Sequence, residues 1–392
     1  MADIALLYDR AESDELGIRL TAEKMGIELG YIPFYKVSLG FSNDGLSLKT
    51  RGRDYSEELE NTKVVMNRTQ SKSRRIFGAI ILEALGKQVI NPLSVEHACQ
   101  SKLRTLLTLY NNQVNIPKTV FIPANVHDFA TGGIPQDNTK SVANLVVQHL
   151  GEKDIVVKPD AGTHGSGVSL AGDRSELETL LGEVKPSITN PSGVLAQELI
   201  PKWFYDMRIL ISKEKGKPAY CPPTCLVRAG FKEFRTNTFL GNMVFRLQMP
   251  DSVRKASVKA AEVLTGDSEA WVLAMDAMPY LSEDMMVGEA ELKKSFDELV
   301  EHFKVVQKVK AIPDKKADFV YYSDAVKEAY ESYMDSGPYE HIQGVIQDTL
   351  EATQDKVVFH EGNSCPEFWE QTRVVGDINV GELLLKSAQS LV

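Results

Sequence analysis

Between Ile155 and Ala171 the chain reads IVVKPDAGTHGSGVSLA, two apolar runs joined by a segment that holds Gly162, Gly165 and Gly167. What flanks a glycine loop decides which anion site it can build. Unhindered backbone N–H groups can converge on a phosphate, and Lys158 stands on the incoming run. A Walker A loop needs lysine and a hydroxyl directly after its last glycine, but here Val168 follows Gly167. A dinucleotide fingerprint needs a helix at once, whereas the next helical pattern, DRSELETLLGEV, begins only beyond Gly172. There Ser175 and Glu178 have capping-box spacing. The glycine loop therefore joins two strands.

The 392 residues, 43% hydrophobic and 25% charged, exceed what one core usually holds, so two or three domains are expected. A net charge of -10 argues against a chain that coats nucleic acid. Four scattered cysteines make no disulfide framework, and MADIALLYDR has acids where a secretory leader needs cations and then apolar residues. A reducing, cytoplasmic setting is expected. Apolar stretches such as AIILEALG are far shorter than the roughly 20 residues of a membrane helix. CPPTC, Cys221 to Cys225, has no second pair at zinc spacing and reads as two buried thiols beside a proline turn.

Along the chain, DIALLYD and ESDELGIRLTAEKMG form a strand–helix pattern, followed by KVVMNR as strand, RRIFGAIILEALG as helix and QVIN as strand. Residues 1–98 thus read as a small parallel α/β domain. HACQSKLRTLLTLYNNQ reads as one helix, residues 125–140 as a loop, and VLAQELI and MRILIS as strands. From about 282 to 355 the texture changes to charged amphipathic helices lodged between two strand signals. This block reads as an insertion: a lid, an oligomer contact, a docking surface or a solvated decoration. The expected division is 1–98, 99–200 with the glycine loop, and 201–392 with the insertion.

Other residues suit the same anion. Lys102, in CQSKLRTLLTL, offers a second ammonium. In AQELIP an acid sits on an apolar strand before the next domain, suited to a hinge whose backbone reads an adenine edge. In KVVFHEGNSCPEF, Glu361 and Asn363 lie two apart on a strand, so both face one way, and paired oxygen donors suit Mg²⁺. Asp276, inside the apolar WVLAMDAM, needs a cation or a structural salt bridge if buried.

Taken in order, these segments resemble the RimK/LysX-type ATP-grasp ligases. The resemblance is carried by MNRTQSKSRR, LEALGKQVINP, CQSKLRTLLTLYNNQVNIPKT, VVKPDAGTHGSGVSL, LAQELIPKWFYDMRILI, VRAGFKEFRTNTFLG, VVFHEGNSCPEF and GDINVGELL. It implies an α/β (α+β) ATP-grasp fold with an N-terminal Rossmann-like pre-ATP-grasp domain; the helical block is then an insertion in the C-terminal lobe, a departure from the short hairpin that usually joins the Asp276 and Glu361 strands. It implies that Lys102 and Lys158 hold the ATP phosphates under a loop of Gly162, Thr163, Gly165, Ser166 and Gly167. Glu198 and Leu199 would line the adenine pocket and Asp206 would meet the ribose. Arg235 and Asn237 would face the γ-phosphate and metals. Asp276, Glu361 and Asn363 would ligate two Mg²⁺, with Mn²⁺ as the alternative ion, and Arg228 would steady the acyl phosphate or tetrahedral intermediate.

The implied activity is ATP-dependent joining of a carboxylate, activated as an acyl phosphate, to an amine, for example glutamate added to a peptide, cofactor or carrier protein. An ATP-grasp kinase and a silent nucleotide-binding regulator are the alternatives. Expected partners are these substrates and further copies of the chain, as a dimer or tetramer, with no nucleic acid and no membrane. Arg68, Arg74 and Arg75 either recognise substrate carboxylates or lie solvated on the surface. The chain departs from the family at Asn242 and Glu367, where glycine is usual, which puts the substrate in question. Glu289 competes with Glu361 for the metal, because it stands at nearly the usual spacing from Asp276.

Overall fold

In the computed structural model the described residues are 2–43, 45–123, 127–129, 135–137, 139–152, 154–160, 162, 165–183, 193–236, 238–312, 315–353 and 356–392. The chain opens with β1 (Ile4–Tyr8), α1 (Ser13–Met25), β2 (Leu29–Pro33), the hairpin β3 (Ser38–Ser42) and β4 (Gly45–Lys49), and α2 (Ser56–Asn61). β5 (Val64–Arg68), α3 (Lys72–Ala84) and β6 (Gln88–Ile90) follow. The strands pair in parallel in the order β2-β1-β5-β6. β5 is buried throughout, as a parallel sheet covered on both faces requires. Strand order reverses between β1 and β5, which opens a crevice beyond their carboxyl ends.

The single helix expected over HACQSKLRTLLTLYNNQ is two, α4 (Leu93–Gln100) and α5 (Lys102–Asn111). Ser101 between them is extended, and its hydroxyl accepts the Arg104 N–H at 3.1 Å. A serine N-cap thus starts a new helix with Lys102 as its first residue.

The next unit holds β7 (Thr119–Ile122), β8 (His127–Phe129), β9 (Pro135–Asp137), α6 (Thr139–Leu150), β10 (Ile155–Pro159), β11 (Ser169–Ala171), α7 (Arg174–Glu183) and β12 (Val194–Glu198). The expected loop over 125–140 therefore contains a short hairpin and the start of a helix. β11-β10-β12-β7 form an antiparallel sheet on which α6 and α7 pack through Ala143, Val146, Leu177 and Leu181. Asp173, not Ser175, caps α7: its Oδ1 accepts the Glu176 N–H at 2.9 Å, while Glu178 pairs with Arg174 at 3.1 Å.

The last unit comprises β13 (Tyr205–Lys213), β14 (Thr224–Ala229), β15 (Met243–Gln248), α8 (Asp251–Thr265), β16 (Trp271–Pro279), α9 (Glu289–Lys310), α10 (Phe319–Met334), α11 (Gly337–Thr353), β17 (Val357–Asn363) and α12 (Val380–Gln389). The sheet order is β15-β14-β13-β16-β17. Strand alternation sends Met207, Ile209, Val227, Phe245 and Met275 into the largest core. Leu210, Val272 and Ala274 face the other way, toward α12 and the N-terminal sheet.

The helices α9–α11 are not a solvated decoration. Leu292, Phe296, Leu299, Phe303 and Tyr333 join the largest core, and α11 covers the free edge of β15. Tyr339 Oη accepts the Arg246 N–H at 2.9 Å and Gln343 Nε2 donates to the Arg246 carbonyl at 2.8 Å. Gln347 accepts the Gln248 N–H at 3.1 Å and donates to its carbonyl at 3.0 Å. Side chains thus pair a strand edge that would otherwise invite aggregation.

Two sets of contacts fasten the N-terminal sheet to this lobe. Asn91 donates to the carbonyls of Val272 (2.7 Å) and Ser364 (2.8 Å) and accepts the Val272 N–H (2.9 Å). Glu370 accepts from Ser13 Oγ and Tyr322 Oη, each at 2.6 Å, and pairs with Lys310 at 3.1 Å and Lys315 at 3.7 Å. One carboxylate therefore joins α1, the inserted helices and the segment after β17. Beside it α1 lies so close to Trp369 that a Cβ on Gly17 would sit 2.0 Å from the indole.

Candidate active site

β10 and the start of α5 bring two lysines together. Lys158 and Lys102 are both buried, each 7% exposed. Lys102 Nζ donates to the carbonyls of Asp160 (3.4 Å) and Gly162 (3.3 Å). Asp160 anchors that corner: its Oδ1 accepts from Ser101 Oγ at 2.9 Å and the Leu103 N–H at 2.7 Å. Burial lowers the Lys102 pKa, and burial followed by repulsion from Lys102 brings Lys158 down to about 8. Gly165 and Gly167 have φ of 72° and 70°, the left-handed region that glycine enters without strain. The Gly165 carbonyl accepts from Arg235 Nη1 at 2.9 Å, so the loop meets the opposite lobe.

Across the cleft, register builds a charged row on one sheet face. Asp206 lies opposite Arg228, Arg208 opposite Asp276, and Asp276 opposite Glu361. Arg208 grips Asp276 with both arms, at 2.9 and 2.8 Å. Arg228 donates to Asp206 at 2.7 Å and reaches Asp276 at 3.3 Å. Against burial, these guanidinium groups hold Asp276 far below the usual carboxylate range. Thr236 donates to Asp206 and accepts from Lys202 Nζ at 3.1 Å. Burial brings Lys202 down to about 8.

Glu361 pairs with Lys72 at 3.5 Å. Although burial opposes it, Lys102 and Lys72 bring its pKa down to about 2. Asn363 lies two residues on, opposite Ala274, and its Oδ1 accepts the Cys365 N–H at 3.0 Å. A register shift at Asp276/Ala277 leaves His360 as an extra residue beside Glu361. Its buried Nε2 has no hydrogen-bond partner among the described residues.

The structure thus gathers Lys102, Lys158, Asp206, Arg228, Asp276 and Glu361. Glu289 stands apart in the exposed first turn of α9, paired with Lys293 at 2.6 Å. Glu198 Oε1 accepts the Lys118 N–H at 2.7 Å and borders a cavity of about 470 Å³ with Ile116, Tyr280 and Val358. The Leu199 N–H donates to Asp154. Ser166 is exposed in the turn between Gly165 and Gly167, while Thr163 and Asn237 lie outside the described residues. Arg68 and Arg75 are neither substrate-facing nor solvated. Arg68 is buried against Asp14 at 3.1 Å and Arg75 against Glu96 at 3.0 Å, while Arg74 is half exposed beside Asp9.

Sequence reasoning missed Asp160, Lys202, Arg208, Thr236 and His360. Arg208 alone carried a signal, two residues after Asp206 on the same strand face.

Two buried ammonium groups that feel Glu361 only across the cleft fit a polyphosphate, since a buried cation without a paired carboxylate is costly. Glu361, Asp276 and Asn363 supply only oxygen, the donor chemistry of Mg²⁺. Among the described residues no cluster of three or more acidic, histidine or cysteine side chains forms a self-sufficient metal site.

Residues 99–289 match the RimK-like ATP-grasp domain. Over these residues the chain carries a RimK-like ATP-grasp domain. It is 23% identical over 264 residues to the α-aminoadipate–LysW ligase LysX of Sulfurisphaera tokodaii, covering 67% of this chain and 81% of that one. It is 27% identical to the coenzyme γ-F420-2:α-L-glutamate ligase of Methanocaldococcus jannaschii, over 50% of this chain and 60% of that one. The solved ATP-grasp ligase PsnB, complexed with a minimal precursor, shares the fold with a TM-score of 0.55 at 11% identity, over 99% of both chains. This RimK-like chain is an ATP-dependent ligase that joins a carboxylate to an amine. The kinase and silent-regulator readings find no support in these relatives, all named ligases. Among the described residues no helix is long and apolar enough to cross a membrane.

Proposed function

We propose that the chain activates a carboxylate on a small molecule, peptide, cofactor or carrier protein and couples it to an amino acid amine. The names of the relatives motivate the substrate classes. The observation that carries the reading is the pair of buried lysines facing Glu361 and the Asp276 row across one cleft.

In this reading Lys102 and Lys158 bind the triphosphate, the glycine loop with Thr163 and Ser166 closes over it, and Glu198, Leu199 and Asp206 border the nucleoside. The substrate carboxylate oxygen attacks the γ-phosphorus and ADP leaves. The amine then attacks the acyl carbon, the C–O bond to phosphate breaks, and the amine gives up a proton as phosphate departs. Asp276, Glu361 and Asn363 would hold two Mg²⁺, or Mn²⁺, whose chemistry is to neutralise charge on the transferred phosphoryl group. Arg235 and Asn237 would help to bind that group. Arg228, fixed by Asp206 and Asp276, offers its charge to the acyl phosphate. The proposal also holds the division at 98 and 200, a cytoplasmic setting and a homo-oligomeric state, dimer or tetramer, which sedimentation would decide.

The test is an ADP-release screen of amino acids paired with candidate carboxylates, followed by product mass. Release is expected only with both an acid and an amine. Lys158→Ala should weaken ATP binding at least about tenfold. Arg228→Lys, which cannot span both carboxylates, should keep nucleotide binding and lose about a hundredfold in ligation. ATP affinity unchanged in Lys158→Ala would count against the assignment.

A further inference from the structure

A cavity of about 450 Å³, lined by none of the residues gathered in the nucleotide cleft, lies between α10, the edge strand β15 and the C-terminal segment that leads into α12. Arg246 enters it from β15, Arg373 from the segment, and Lys327 and Glu331 from α10. The two arginines are partly buried and bond only neutral acceptors. Arg246 donates to the carbonyls of Val375 (2.8 Å) and Val374 (3.3 Å). Arg373 donates to the Trp369 carbonyl (3.1 Å) and to Ser323 Oγ (3.1 Å), with its guanidinium stacked 4.4 Å from the Trp369 ring. Among the described residues neither has a carboxylate within ion-pair distance. Asp324 is felt by Arg373 only at longer range, and burial lowers the Arg373 pKa.

The acids at this cavity do not fill that gap. Glu331 pairs with Lys327 at 3.6 Å and Glu382 with Lys386 at 2.6 Å, and Asp377 is exposed at the rim. Two partly desolvated guanidinium groups without a counter-charge are costly, and their planar forks match carboxylate and phosphate oxygens. The volume suits a small ligand.

We propose that this cavity is a second ligand site, for a small anion bearing a carboxylate or phosphate, held by Arg246 and Arg373 with Lys327 at its mouth. Arg373 lies three residues after Glu370, the carboxylate that joins α1 to the inserted helices, and ten after Asn363. An anion there ties β15, α10 and the C-terminal segment together.

Isothermal titration of the full chain with succinate and with inorganic phosphate, in low-chloride buffer, tests this. Saturable one-site binding is expected for at least one of the two, and which one binds separates a carboxylate ligand from a phosphate ligand. Arg373→Gln and Lys327→Glu should each weaken it at least about tenfold. Lys158→Ala, in the nucleotide cleft, should leave it unchanged. Lys327 is an exposed helix residue, so its substitution decides the matter even if Arg373→Gln melts early. No binding of either anion overturns the proposal. So does binding that survives Lys327→Glu or is lost in Lys158→Ala.

Discussion

Lys158 shows how burial prepares a binding group. Burial, then Lys102, brings it from the usual 10.5 down to about 8. Between those values the unfolded chain binds more protons than the folded one, so stability rises with pH from about 8 to 10.5, and the burial penalty is fully present below 8. Nucleotide affinity runs the opposite way, because phosphate needs the ammonium form. ATP affinity measured by calorimetry should weaken several-fold between pH 7 and 9, and Lys158→Arg, charged throughout, should flatten that change. A pH dependence that persists in the arginine variant would contradict the account. Lys102, Lys158, Asp276 and Glu361 were legible because a charge in or beside an apolar run has few reasons to be there. Lys202, Asp160 and His360 were not, since each gains meaning only from partners brought by register or by a turn.

Among the elements, the inserted helices were legible as helices from their periodicity, but what they cover was not. Helical spacing says that an apolar face exists; only packing reveals that α11 pairs the edge of β15. Tyr339→Phe removes the acceptor for the partly buried Arg246 N–H and should cost about 1 kcal/mol, read as a lowered denaturation midpoint. Gly17→Ala should cost more, about 1–3 kcal/mol, because its Cβ would lie 2.0 Å from Trp369. Equal stability of wild type and both variants would refute these contacts. The break at Ser101 escaped the sequence reading because helical periodicity runs through it; the serine cap is a local hydrogen bond that spacing does not register.

For the molecule as a whole, the strand–glycine loop–strand order exposed the fold class, whereas the seam between the N-terminal sheet and the last lobe depends on residues distant in sequence. Glu370 gathers Ser13, Lys310, Lys315 and Tyr322 there. Combined Lys315→Ala and Tyr322→Phe should speed hydrogen exchange in residues 13–25 and 364–373 while the centre of β13 and β16 stays protected; unaltered exchange would show that the seam does not need this hub. The central claim is that one cleft grips a magnesium-bound triphosphate between two lysines and the acids Asp276 and Glu361 of neighbouring strands. A crystal structure with Mg²⁺ and a non-hydrolysable ATP analogue tests it most directly. The account predicts the Lys102 and Lys158 ammonium groups on phosphate oxygens and Glu361 on the metal. Nucleotide bound elsewhere, or Glu361 turned away from any cation, would contradict it.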